Sequence, residues 1–151
     1  TNQDLRTEVM WIFTYISAGG NEQNLKALKE VGSFPIICNL LDSEMERALL
    51  TPVIRTLGNI MSGTDELVTA LLASTSHPSK VVSGLLACLR SEHRAIVKES
   101  LWALSALCAS YVPEHHRLCL STSLLHDVTQ ILSNAAFDIR KEAGYTILNL
   151  C

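Results

Sequence analysis

The amino-acid sequence predicts an all-α fold: a single domain built as a right-handed superhelical solenoid of about three to four helical repeats. Three observations carry that prediction. The stretch Ile96–Tyr111, IVKESLWALSALCASY, wound at about 100° per residue, gathers Val97, Leu101, Leu104, Leu107 and Cys108 on one side. The same pattern recurs in Leu5–Gly19, Leu49–Gly63 and Ile139–Cys151, which align with it without a gap. Their first residues, Leu5, Leu49, Ile96 and Ile139, lie 44, 47 and 43 residues apart, the period of solenoid units made of helices.

Composition agrees with a packed helical array. With 48% hydrophobic and 18% charged residues, the 151-residue chain can bury a leucine-rich core and has no disordered bulk. A net charge of −3 argues against general nucleic-acid binding, which needs dense Lys and Arg to neutralise phosphates. No run of 18 apolar residues exists, so no membrane span is expected within this segment, and the opening TNQDLRTE does not read as a signal peptide. Five scattered cysteines, an odd number mostly within apolar runs, read as reduced buried thiols of an intracellular protein, without disulfides.

Taken in order, residues about 3–18 form a long amphipathic helix that Gly19-Gly20 stops, and Asn21 is placed to cap the next. From Asn21 to about Val31, Leu25, Leu28 and Val31 recur at helical spacing; Gly32 breaks the run, and Pro35 suits the first turn of a helix over Pro35–Leu41. Asp42-Ser43 is expected to open the long helix containing Leu49–Met61, where Pro52 lacks an amide hydrogen and should bend it. Ser62-Gly63 ends that helix, Leu67–Ala73 is a short one, and Ser74 to Pro78 is the loosest turn. Pro78 starts a helix to about Leu89, and Ser91 caps the central helix. Pro113–Leu120 is short, Ser121-Thr122 leads into Leu124–Leu132, and Asn134 precedes the last long helix, Phe137–Cys151. Each unit thus has two shorter helices and one long one, with units near 21–63, 64–110 and 111–151 behind a partial one at 1–20. The pattern is cut at both ends, so apolar surface is expected there.

The chemistry lies off the apolar stripe. One aligned position holds Trp11, Arg55, Trp102 and Tyr145, and one turn later stand Tyr15, Asn59, Ala106 and Asn149. Trp102, Ser105, Ala106 and Ala109 fall away from the core side, and stacked long helices would line such positions up along one concave surface. Rings at regular spacing form slots for the aliphatic stems of Lys or Arg, and an Asn beside them can hold an extended peptide by its backbone amides. The candidate peptide-binding residues are therefore Trp11, Tyr15, Arg55, Asn59, Trp102, Ser105, Tyr145 and Asn149. Glu99 and Glu142 stand three residues before a rung, where they favour a cationic ligand or act as solvated helix charges.

His115-His116 with Cys119 puts two candidate metal ligands at i, i+4 on one short helix, too few for a tetrahedral site, so a solvent-facing helix end is expected and no metal or other cofactor. No Ser and His residues show nucleophile–base spacing and no Gly-rich phosphate loop is present, so an enzyme is not expected.

These segments resemble the importin-α family of armadillo proteins, whose long third helix carries a Trp and, four residues later, an Asn. WALSA at Trp102–Ala106 and KEAGYTILN at Lys141–Asn149 are similar to that segment, and KEVGSFPIICNLL at Lys29–Leu41 resembles the family's inter-helix Gly…Pro turn. ALLTPVIRTLGNI at Ala48–Ile60 is similar to a divergent branch, the transmembrane-and-coiled-coil-named armadillo proteins. The resemblance implies the Trp role for Trp11 and Trp102 and the Asn role for Asn59 and Asn149, with Gly19 and Gly63 as the small residue a turn later. Tyr15 and Ala106 replace Asn, Arg55 and Tyr145 replace Trp, and the family's acidic residue for the key lysine has no counterpart beyond the nearby Asp65.

The resemblance further implies an adaptor in nucleocytoplasmic transport, found in cytoplasm and nucleus, with basic nuclear-localisation peptides of cargo and importin-β as partners. The basic importin-β-binding arm of such proteins would precede the repeats. The alternative is an armadillo scaffold that binds a folded partner or helix and has no transport role.

Overall fold

Four long helices stand side by side in one row. The computed structural model describes residues 2–42 and 45–151, and among them every regular element is a helix. In order come α1 (Asn2–Ser17), α2 (Glu22–Glu30), α3 (Ser33–Asn39), α4 (Arg47–Met61), α5 (Asp65–Ala73), α6 (Ser79–Cys88), α7 (Arg94–Cys108), α8 (Pro113–Leu120), α9 (Leu124–Asn134) and α10 (Phe137–Leu150). A single tight turn, Ala18–Gly20, follows α1. Helix α1 packs on α4, α4 on α7 and α7 on α10; beside this row α2 meets α5, α6 meets α8 and α9 meets α10.

The apolar stripe read from the sequence is the core. Val97, Leu101, Leu104, Leu107 and Cys108 of α7 are all buried, as are Leu49, Val53, Ile54, Leu57 and Ile60 of α4. One continuous apolar cluster runs from Met10 of α1 to Ala143 of α10. Each fully buried leucine or isoleucine contributes about 1.5–3 kcal/mol, so this shared core, not any one helix, holds the row together. At its two ends Leu5 and Ile12 of α1 and Leu148 of α10 remain exposed.

Local chemistry sets the helix ends. Asn21 caps α2 through its side chain, which accepts from the backbone N–H groups of Gln23 and Asn24. Gly32, at φ 74°, turns the chain into α3, and the Ser33 hydroxyl donates to Leu28 O at 2.7 Å. Val31 is the exception to its run: it is 73% exposed at the end of α2, not part of the core.

Helix α4 starts at Arg47, later than Asp42-Ser43; Ser43 itself lies outside the described residues. It runs unbroken through Pro52, which has no N–H to donate to the carbonyl of exposed Ala48. His93, not Ser91, stands at the start of α7, and the Ser91 hydroxyl accepts the His93 N–H. Cys38, Cys88, Cys108 and Cys119 are buried free thiols and Cys151 is an exposed one. Burial pushes the Cys88 thiol up to about 11.

Candidate functional site

A cavity of about 500 Å³ crosses the row of long helices. Helix α1 brings Trp11 and Tyr15 to it, α4 brings Arg55 and Asn59, α7 brings Lys98, Glu99 and Trp102, and α10 brings Glu142. The residues come from successive repeats because aligned positions on stacked helices share one face.

Trp102 is half-buried and has a seat on the preceding long helix. A methyl group added at Gly58 would lie 2.2 Å from its Cζ3 and 2.7 Å from its Cε3. Glycine inside a helix costs about 1 kcal/mol relative to alanine; here the missing Cβ is what admits the six-membered ring. The indole is thereby fixed by volume exclusion on one side and faces the cavity on another.

Around Trp11 the groove is polar and occupied. Tyr15 lies one turn on, its ring centroid 6.2 Å from that of Trp11 and tilted by 33°. The Arg55 guanidinium carbon sits 5.9 Å from the Trp11 ring centroid, within cation–π range. Its Nη2 donates to Glu99 Oε1 at 2.7 Å, which raises the already high Arg55 pKa. Further along the row the Lys141 ammonium lies 5.8 Å from the Tyr145 ring centroid.

The two asparagines turn their donors inward. Asn59 Nδ2 donates to Thr14 O at 3.3 Å and to Ser17 Oγ at 3.0 Å. Asn149 Nδ2 donates to Ser105 O and to Ser105 Oγ, both at 3.0 Å. Thr14 and Ser105 are themselves aligned positions, so the same link joins α4 to α1 and α10 to α7. The side-chain carbonyls of Asn59 and Asn149 take no hydrogen bond among the described residues, and both residues are only half-buried. They remain available as acceptors.

The cavity therefore brings together Trp11, Tyr15, Arg55, Asn59 and Trp102, while Tyr145 and Asn149 stand on α10 beyond its lining. Ser105 is a correction: it is buried under Asn149 and serves as that amide's acceptor rather than as a groove residue. Gly58, Thr14 and Ser17 also shape the site, as the seat of the Trp102 ring and the acceptors of the Asn59 amide. A glycine in mid-helix was the one available signal.

The His115 end of α8 is a second correction. His115 is buried, not solvent-facing, because α8 turns it toward α5. Ser110 Oγ donates to Asp65 Oδ1 at 2.7 Å, so His115 Nδ1–H donates to Ser110 at 2.7 Å, and Nε2 meets the Thr69 hydroxyl at 3.1 Å. With its proton directed at Asp65, the Ser110 hydroxyl is not held by a base, and the cluster bridges helices. Burial lowers the His115 pKa against the opposing pull of Asp65. His116 donates to Cys108 O at 3.0 Å, and the Cys119 sulfur lies 4.0 Å from that of Cys108. Among the described residues no group of three or more His, Cys, Asp or Glu is placed to hold a metal ion, and no helix is long and apolar enough to cross a membrane.

No protein-family profile matches the chain. Importin subunit alpha-9 of Arabidopsis thaliana is 37% identical to it over 152 residues, covering 100% of this chain and 29% of its own length. Importin subunit alpha-2 of Oryza sativa subsp. japonica is 34% identical, over 99% of this chain and 28% of its own. The chain thus spans under about a third of the length of these relatives. A designed armadillo repeat protein in complex with the peptide (KR)4 superposes with a TM-score of 0.84 at 24% identity, over 95% of this chain and 56% of its own. A second designed armadillo repeat protein reaches 0.85 at 21% identity, over 99% and 59%. Row, repeat period and relatives agree: the chain is an importin-α-like array of armadillo repeats.

Proposed function

We propose that the chain is a peptide-binding module of an importin-α-like adaptor, holding an extended peptide of nuclear-localisation type in the groove across its long helices. The observation that carries this reading is the convergence of Asn59, Trp102 and Glu142 from three adjacent helices on one cavity. The Trp102 ring would take the aliphatic stem and cation of a Lys or Arg, worth about 0.5–2 kcal/mol. The free carbonyls of Asn59 and Asn149 would accept from peptide N–H groups, and Tyr15 and Tyr145 would flank the strand. The importin subunits among the relatives, and the designed armadillo protein found with (KR)4, support a basic ligand. The role extends by the same reading to transport between cytoplasm and nucleus, with importin-β as a partner of the whole protein and no catalysis.

The test is fluorescence anisotropy with labelled (KR)4. Affinity is expected to fall about tenfold or more in Trp102→Ala and to fall again as salt rises. A second reading rests on Arg55, a cation inside the groove: a scaffold with no transport role, whose folded or helical partner brings a carboxylate to it. Binding of an acidic peptide of the same length, indifferent to Trp102→Ala, would establish the scaffold and end the adaptor reading.

A further inference from the structure

The slot beside Trp11 is filled by the chain itself. Arg55 lays its guanidinium over the Trp11 ring, 5.9 Å from the centroid, and bonds Glu99 at 2.7 Å. A ligand cation entering there would need the same ring and the same carboxylate. On Tyr145 the Lys141 ammonium does likewise, at 5.8 Å. Among the described residues no cation of the chain lies over the Trp102 ring, and Glu142 shares its cavity.

We propose that Arg55 is a built-in occupant of the Trp11 slot, so that the groove accepts one basic side chain, at Trp102, from an extended peptide and does not read a run of them. The inference rests on the peptide-groove reading and names the ligand class within it. Charge supports it. Arg55 and Glu99 neutralise one another, and the remaining lining charges, Lys98 and Glu142, are of opposite sign, so the cavity has no excess of negative charge to draw in a basic cluster. A second ligand cation would have to break the Arg55–Glu99 pair and put like in place of like. The exchange supplies no differential affinity.

A double-mutant cycle read by anisotropy with (KR)4 tests this on the protein, Arg55→Ala, Trp11→Leu and the double variant, with circular dichroism checking that each is folded. Opening the slot in Arg55→Ala is expected to raise affinity about fivefold or more. Trp11→Leu alone is expected to change it by less than about twofold, and the double variant to lose the gain. A peptide of equal length with one Arg among Ser and Gly is expected to bind the protein and Arg55→Ala alike, within about twofold. A gain that survives Trp11→Leu would be mere loss of positive charge and would overturn the inference while leaving the groove reading intact. So would a marked loss of affinity in Trp11→Leu alone, since the slot would then be open. If (KR)4 binds none of the four proteins, both readings fall.

Discussion

The outer seams of the helix row and its middle seam are closed by different chemistry. Between α1 and α4, and again between α7 and α10, an asparagine donates to a carbonyl of the neighbouring helix, and a threonine lies beneath it: Thr14 and Thr56 hydroxyls meet at 3.0 Å, and Thr146 donates to Leu101 O at 3.3 Å. Between α4 and α7 the aligned residue is Ala106, which has no side-chain donor. That seam is closed by the Trp102 ring on Gly58 and by the Arg55–Glu99 ion pair. A polar link fixes register at modest net free energy, because it replaces hydrogen bonds to water. A ring seated on a glycine fills volume instead, and is intolerant of added atoms.

The contrast predicts a graded response. The largest effect is expected from Gly58→Val in the middle seam: the new side chain overlaps the Trp102 ring, and overpacking of about 1–3 kcal/mol lowers the melting temperature by roughly 2–12 °C. Calorimetry that shows Gly58→Val melting with the parent protein would remove the ring-on-glycine account. A smaller effect follows at the outer seams, where Asn59→Ala and Asn149→Ala should each lose about 1 kcal/mol in urea unfolding, while Ala106→Ser stays within about 0.5 kcal/mol. Equal losses at all three positions would mean that the amide links do not distinguish the seams.

The smallest effect concerns the flank of the last seam, where His115 joins α8 to α5. Its pKa in the folded protein lies below the ordinary 6.5, mainly because it is buried. Below pH 6.5 the unfolded chain therefore binds the proton more readily than the folded one. The stability it contributes is present above that pH and declines as pH falls toward the folded value. The urea midpoint should thus drop between pH 7.5 and 5.5, and drop less in His115→Gln; parallel pH profiles would refute the assignment.

Much of the array was legible because it is written in local pattern. The stripe of α7, the Asn21 cap and the bounds Pro113–Leu120 depend on neighbours within a turn or two, and each stands as read. Helix α4 started late because Asp42 looks like a cap whether or not the residues after it are helical. Val31 fits the helical period but lies where α2 has already ended. The aligned row was readable as a row, yet the orientation of its amides was not: whether Asn149 faces a ligand or Ser105 depends on a helix 44 residues away. The same holds for Arg55, whose partner Glu99 is equally distant in sequence. His115 looked like a surface residue because Ser110, Thr69 and Asp65 come together only when α5 and α8 pack.

The fit of Trp102 on Gly58 ties two codons together. Drift at one is conditional on the other: a side chain can arrive at 58 only after the indole at 102 has shrunk, and a fresh indole at 102 can settle only opposite a bare backbone. Among homologous arrays the pair should therefore change in concert, and a chain carrying a bulky residue at both places would need its two rods farther apart.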